Sequence, residues 1–251
     1  MNGIESESPL RIIVNGAAGA MGQILLRKIA SSGDLTLAAA VDVAGLPGMY
    51  KDLYEVTEDA DVLIDFSYHA ATPHLLKTAV ERGLPSVICT TGHTEEERQA
   101  ILDASSSIPV FFSANMSLGV ALLNKLVREA AAKFAGDAEI VETHHKRKLD
   151  APSGTALALA KTIQGARPGS EIVCGRSGQK KRDAREIGIQ SVRMGNIAGI
   201  HEVFFGTDTE TLTLKHEAHD RGVFADGALE AARFLLGKPA GLYGMDDLLE
   251  D

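Results

Sequence analysis

The chain has 251 residues, a formal net charge of −9, 45% hydrophobic and 24% charged residues, the make-up of a globular protein with room for one or two cores rather than of a disordered or fibrous chain. Its acidic balance argues against nucleic acid as a partner, since a phosphate backbone needs a broad basic face, and no apolar run is long enough to span a bilayer, so no membrane partner is expected. Residues 1–9 are acidic without an apolar segment, which predicts a frayed tail rather than a secretory signal, and two cysteines, Cys89 and Cys174, are too few for a disulfide framework and fit a reducing cytoplasm.

Residues 11–15 form a β-branched run that ends in Gly16-Ala17-Ala18-Gly19-Ala20-Met21-Gly22 and continues into a helical pattern over residues 23–30, closed by Gly33. Strand, glycine turn and helix are the setting of a dinucleotide fingerprint. The spacing is Gly-x-x-Gly-x-x-Gly, so a tight turn that needs glycine for geometry alone is the alternative. A second strand over residues 35–41 delivers Asp42 about 20 residues past the turn, where an acid can accept hydrogen bonds from ribose hydroxyls.

Residues 60–67 read as a buried parallel strand carrying Asp65, Phe66 and Ser67 to its C-terminal end, where ligands sit in open α/β sheets. A helix follows over residues 69–83, with Leu75, Leu76, Ala79 and Val80 on one face and Gly83 as its stop. A strand over 86–89 ends in Thr90-Thr91-Gly92, a capping box of Thr94 and Glu97 opens the next helix, and a strand over 108–112 ends in Ser113-Ala114-Asn115-Met116. Such alternation predicts a doubly wound parallel sheet.

A long helix over 117–134, stopped by Gly136, is read as bridging two domains. The pattern then changes: segments 171–174, 187–193, 199–205 and 211–216 partly alternate with period two, predicting an antiparallel sheet covered on one face. The basic stretch 176–182 is either a mobile loop over the active site or a solvated hairpin tip. A capped helix over 226–236 is ended by Gly237 and Pro239.

Residues 139–156 organise the rest. His144, His145, Lys146, Arg147 and Lys148 stand in succession inside an acidic chain, which suggests a local anion site, although such runs are commonly solvated turns. Pro152-Ser153-Gly154-Thr155 then opens an apolar-periodic run, so Ser153 reads as an N-cap and the amides of Gly154 and Thr155 as a helix start able to bind a carboxylate or phosphate. The two histidines can change protonation near neutral pH. A zinc site from His144, His145, His216 and His219 is disfavoured, because adjacent histidines point apart in extended chain and no cysteine pair supports it; no metal is expected.

This segment resembles the signature of the dihydrodipicolinate reductase (4-hydroxy-tetrahydrodipicolinate reductase) family, whose positions are occupied by Glu139, Glu142, His144, His145, Lys148, Asp150, Pro152, Ser153, Gly154 and Thr155. The resemblance runs from about Leu10 to the C-terminus. It implies an α/β fold: a Rossmann-type doubly wound parallel sheet from residues 1–116 and 222–251 that binds the dinucleotide, and a second α+β domain, residues 117–221, with a mixed or antiparallel sheet for substrate binding and assembly into a homotetramer. It implies reduction of 4-hydroxy-tetrahydrodipicolinate/dihydrodipicolinate, a small ring dicarboxylate, to tetrahydrodipicolinate with NAD(P)H in diaminopimelate and lysine biosynthesis.

Carried over residue by residue, the resemblance makes His144 and Lys148 the proton-transfer pair, His145 a substrate contact, and Ser153, Gly154 and Thr155 the holders of one carboxylate. The cofactor would lie on Gly16, Ala17, Ala18, Gly19, Ala20, Met21, Gly22 and Asp42, with Cys89, Thr90, Thr91, Ser113, Ala114, Asn115 and Met116 over its nicotinamide half. Cys89 stands where the family usually has glycine, and Val43 and Ala20 where many members carry arginine. With the acid present and both cations missing, NADH is expected over NADPH, with Lys51 able to compensate. Asp150 is read either as orienting the lysine or as stabilising the helix start, the second being favoured, and Glu142 either as a histidine's partner or as structural. Two further readings compete: another two-domain NAD-dependent dehydrogenase of amino-acid metabolism, which would lack the His-His-Lys and Ser-Gly-Thr arrangement, and a non-catalytic NAD(P)H-binding sensor, which would lack a proton donor.

Overall fold

A computed structural model describes residues 8–250; the expected tail at 1–9 lies, through residue 7, outside the described residues. The chain divides into two compact units, one running through Met116 and resuming at Gly222, the other Ser117–Arg221. The first begins β1 (Leu10–Asn15), α1 (Ala20–Ser31), β2 (Leu35–Val41), β3 (Val62–Asp65), α2 (Thr72–Glu81), β4 (Ser86–Ile88), α3 (Glu95–Ser105), β5 (Pro109–Phe112). The second holds α4 (Leu118–Lys133), β6 (Asp137–His144), α5 (Gly154–Ala166), β7 (Glu171–Cys174), β8 (Glu186–Arg193), β9 (Gly199–Gly206) and β10 (Thr211–Ala218). The chain then returns to the first unit with α6 (Gly222–Phe234), β11 (Gly241–Tyr243) and α7 (Met245–Leu248).

In the first unit all strand pairs are parallel, in the order β11-β5-β4-β3-β1-β2. Ile12, Ile13 and Val14 of β1 and Val62, Leu63 and Ile64 of β3 are fully buried, because crossover helices cover both faces of a parallel sheet and its strands become unbroken apolar runs. α1 starts at Ala20, earlier than the periodicity indicated, since the glycine turn itself feeds the helix from Gly19 as N-cap. Its end is Ser32 in extended conformation, not a left-handed Gly33. Helix α6 likewise begins before Asp226, which is no cap: its carboxylate pairs with Lys28 of α1 at 2.6 Å.

The second unit is a five-stranded mixed sheet, order β10-β9-β6-β8-β7. β6 lies at its centre, antiparallel to β9 and parallel to β8, and β7 is parallel to β8. The period-two pattern therefore gave antiparallel pairing correctly for β9 and β10 but not for β7 and β8, where the crossover through α5 brings the chain back in the same sense. Helices α4 and α5 cover one face, with Leu123, Val127, Ile140, Leu159, Ile163, Val203 and Phe205 in the shared core. α4 belongs wholly to this unit and is not a bridge. Nor does Gly136 stop it: Phe134 closes the helix in extended conformation, and a Cβ on Gly136 would sit 2.4 Å from the Gly206 carbonyl oxygen. The basic stretch 176–182 joins parallel strands, so it is no hairpin tip. Arg182 ties it to Asp137 (2.7 Å), Glu139 (3.1 Å) and the Ala138 carbonyl (3.1 Å) at the start of β6. That is the end of the strand opposite His144, about 23 Å away at the usual rise, which argues against its closing over that histidine.

Candidate active site

In the first unit the site is made of backbone. Gly16 has φ +77°, and a Cβ there would lie 2.6 Å from the Phe66 carbonyl oxygen. A Cβ on Gly22 would lie 2.2 Å from the Gly16 oxygen, so α1 can press onto its own turn only with glycine there. Gly19 caps α1 with no side-chain hydrogen bond, leaving the positive end of the helix to its amides, an arrangement suited to a pyrophosphate. Asp42, at the end of β2, accepts from the amides of Ala18 (3.0 Å) and Ala44 (2.9 Å) and so fixes the turn beside it. The fully buried Asp65 accepts from Asn15 Nδ2 (2.8 Å), the Ser67 amide (3.0 Å) and Thr90 Oγ1 (2.9 Å), gathering the C-terminal ends of β1, β3 and β4.

Two clefts open at those strand ends. One of about 370 Å³ is lined by Gly16, Gly19, Asp42, Val43 and Lys51, and one of about 520 Å³ by Met21, Cys89, Thr90, Thr91, Ala114, Asn115 and Met116; Phe66, Ser67 and Tyr68 line both. Ala17, Ala18, Ala20, Gly22 and Ser113 line neither; the Ser113 hydroxyl shapes its turn by donating to the Asn115 carbonyl (2.8 Å). Burial, and then the charge of Asp65, push the Cys89 thiol well up, so it is unsuited to be a nucleophile. The residues present fit a nicotinamide dinucleotide: a glycine cradle without room for Cβ atoms, a bare helix start, and a carboxylate at the end of the second strand. Sequence reasoning missed His69, which lines the larger cleft and is held by Glu97 through Nδ1 at 2.8 Å; no spacing signalled it.

In the second unit the site is made of side chains. Glu142 is fully buried on β6 and is bonded to His144 Nδ1 (2.5 Å), the Ser153 amide (3.1 Å) and both Arg193 Nη atoms (2.8 and 2.7 Å). Burial alone would raise this carboxyl, but the hydrogen bonds from Arg193, Ser191 and His144 outweigh it and hold it at about 2. Ionised Glu142 can only accept, so His144 carries hydrogen on Nδ1 and presents Nε2 as the free nitrogen. A Cβ on Gly199 would come within 3.1 Å of that Nε2, so glycine leaves it room. Burial lowers the His144 pKa, Glu142 opposes this, and the charges of Lys148 and Arg193 add to the lowering.

His144 closes β6, and Lys148 follows in a turn, its amide donating to the His145 carbonyl (3.1 Å), so the two do not share a helical face. The Lys148 ammonium lies 2.9 Å from Asp150, the contact expected if Asp150 orients the lysine. Ser153 is the N-cap of α5, its Oγ accepting from the Ala156 amide (3.2 Å), with Gly154 and Thr155 as the first helical residues. The His145 amide donates to the Ile197 carbonyl (2.8 Å), and its buried Nδ1 finds no hydrogen-bond partner among the described residues. Sequence reasoning left out Arg193, Gly199 and His201 and left Glu142 undecided. Among the described residues no group of three or more potential ligands is arranged for a metal ion, and no helix is long and apolar enough to cross a membrane.

Comparison with known proteins agrees on both units. The profile of dihydrodipicolinate reductase, N-terminus, matches residues 10–116 and that of its C-terminus residues 119–249. The chain is 47% identical over 247 residues to the 4-hydroxy-tetrahydrodipicolinate reductase of Caldanaerobacter subterraneus subsp. tengcongensis, spanning 96% of this chain and 98% of that relative. It is 44% identical to the same-named protein of Akkermansia muciniphila, over 96% and 98%. The dipicolinate-bound dihydrodipicolinate reductase from Paenisporosarcina sp. TG-14 superposes with a TM-score of 0.81 at 26% identity, over 95% of this chain and 99% of that one. The DAP dehydrogenase of C. glutamicum, at 16% identity and a TM-score of 0.57 over 97% of this chain and 96% of that one, shares the fold alone. The first unit is thus a nucleotide-binding domain, and the chain belongs to the dihydrodipicolinate reductase (4-hydroxy-tetrahydrodipicolinate reductase) family of NAD(P)H-dependent oxidoreductases of lysine and diaminopimelate biosynthesis.

Proposed function

We propose that the first unit holds the cofactor on the glycine turn and Asp42, and that residues 144–155 of the second unit hold a ring dicarboxylate and supply its proton. The observation that carries this is Glu142, one buried carboxylate that clamps both His144 and the capping residue of α5. It couples the protonation state of the imidazole to the position of the helix start.

The bound nicotinamide supplies a hydride for a ring carbon, and the protein must supply a proton for the neighbouring carbon. Lys148 is the proton donor and His144 its partner in transfer, with Nε2 kept available by the bond that Nδ1 donates to Glu142. The amides of Gly154 and Thr155 receive a carboxylate, favoured by the positive end of α5, and His145 contacts the ring. Asp150 orients the Lys148 ammonium. The non-catalytic sensor reading is disfavoured by this pair, since a binding-only protein needs no oriented imidazole beside an ammonium.

NADH is preferred. Asp42 is placed to accept from ribose hydroxyls and would repel a 2′-phosphate, and the exposed Val43 offers that group no charge; Lys51 in the same cleft lets NADPH serve as well. The oligomer is a homotetramer, built on the sheet face that α4 and α5 leave uncovered, where Ile200 and Phe204 are half-buried and Val192 is exposed. No metal, nucleic acid or membrane enters the proposal, and a cytoplasmic setting follows from the reaction. Steady-state oxidation of each nicotinamide cofactor with freshly made substrate tests it: kcat/KM should be higher with NADH, and Val43→Arg should shift the ratio toward NADPH by roughly tenfold, the worth of one added charge-assisted contact. Equal use of both cofactors by the wild type, or a ratio unmoved in the variant, would remove Asp42 and Val43 as the determinants.

A further inference from the structure

We propose that His201, on β9, is a positioning residue for the substrate dicarboxylate: by accepting from the Ser153 hydroxyl it fixes the first turn of α5, whose amides receive a carboxylate. This rests on the reading of the α5 start as the carboxylate site.

The register of the sheet brings the group there. On β6 and β9, Glu142 stands directly opposite His201, so both point to the face covered by α5. His201 Nε2 lies 3.1 Å from Ser153 Oγ, and both residues are almost wholly buried. The Ser153 oxygen already accepts from the Ala156 amide, and its own amide donates to Glu142. Its remaining need is an acceptor for the hydroxyl hydrogen, and a neutral imidazole supplies one. Three contacts, from β6, β9 and α5 itself, then leave the capping residue a single orientation.

The ring is an expensive way to fill this space. Its Nδ1 is buried with no hydrogen-bond partner among the described residues, and burying an unpaired polar nitrogen costs free energy that an apolar side chain of similar size would not. A cost accepted at one nitrogen points to a use for the other. Burial first, and then the neighbouring His144, bring the His201 pKa down to about 4, with His216 and Lys148 acting the same way and Glu142 opposing them. The ring therefore stays neutral, and able to accept, throughout the neutral range. His201 meets His144 edge to face at 5.1 Å.

The test compares His201→Gln, which can place an amide near the former Nε2, with His201→Asn, which cannot reach it, alone and combined with Ser153→Ala. The readouts are kcat and KM in the coupled assay, the Kd of pyridine-2,6-dicarboxylate in the presence of NADH, and NADH affinity by fluorescence. His201→Asn should raise KM and the dicarboxylate Kd roughly tenfold, the order of one lost hydrogen bond, with kcat and NADH affinity near wild type. His201→Gln should recover most of the loss, and Ser153→Ala with His201→Asn should bind no worse than Ser153→Ala alone. Equal behaviour of the Gln and Asn variants, or additive losses in the double variant, would overturn the proposal. If Ser153→Ala weakens the dicarboxylate and His201→Asn does not, the carboxylate site stands and the role of His201 falls. If Ser153→Ala itself binds normally, the hydroxyl that His201 holds does not matter to the carboxylate and the proposal fails, while the amides of α5 remain its holders.

Discussion

Two helix starts in this chain are shaped by opposite means. α1 opens from Gly19 with no side chain to cap it, and its turn is shaped by glycines so tightly packed that a Cβ at Gly22 would collide with the Gly16 carbonyl. α5 opens from Ser153, whose amide and hydroxyl are held by Glu142 and His201 from two strands of the sheet. The first, as an anion site, would be written in seven consecutive residues. The second depends on the register of β6, β8 and β9, which brings together residues 142, 153, 193 and 201. A backbone site tolerates change in its surroundings but not in its glycines; a side-chain site should show the reverse.

The sharpest way to break that contrast is at Glu142. Replacing it with leucine leaves His144 Nδ1 and the Ser153 amide buried without their acceptor and the half-buried Arg193 with only the Val192 and Asp150 carbonyls, and should cost roughly 3–5 kcal/mol in denaturant unfolding. A loss below 1 kcal/mol would mean that the network is dispensable. Acid should expose the same groups. Glu142 at about 2 lies below its unfolded value near 4.3, and His144 and His201, the latter at about 4, lie below theirs near 6.5. All three therefore stabilise at higher pH, and stability should fall from about pH 6.5 toward 4 as the histidines are forced to charge, then further toward 2 as Glu142 protonates. Thermal unfolding against pH checks this, with a flatter profile between 6.5 and 4 expected in His201→Gln.

The glycines give the complementary test. Gly22→Ala should cost about 1–3 kcal/mol by overpacking and weaken NADH binding, since its Cβ meets backbone that cannot yield. Gly154→Ala should change stability by less than about 0.5 kcal/mol and leave NADH affinity at wild type, because a Cβ there meets no protein atom within 4 Å. Should the two alanines behave alike, the distinction between the two helix starts is lost.

The contrast also explains what could be read before the structure was known. The parallel strands were legible because residues such as Ile12–Val14 and Val62–Ile64 are apolar without interruption, as burial on both faces requires. The glycine turn was legible as a strand-to-helix connection because its shape depends on local spacing. β6 was not recognised as the central strand, because its covered face starts with Ala138 and Ile140 and ends with Glu142 and His144, so the alternation turns polar along the strand. Arg193 and His201 carried no signal of their own, since only the pairing of β6 with β8 and β9 gives them a partner. Gly136 was misread for a similar reason: it resembles a helix stop but answers to Gly206, seventy residues away.

The central claim is that proton donation belongs to the second unit and cofactor binding to the first. Turnover of Lys148→Ala, measured together with its NADH affinity by fluorescence titration, addresses it most directly. The account predicts a fall in kcat of roughly 10²- to 10⁴-fold, the range of general acid catalysis, with the NADH Kd unchanged. Full turnover in the variant, or a loss explained entirely by weaker NADH binding, would contradict it.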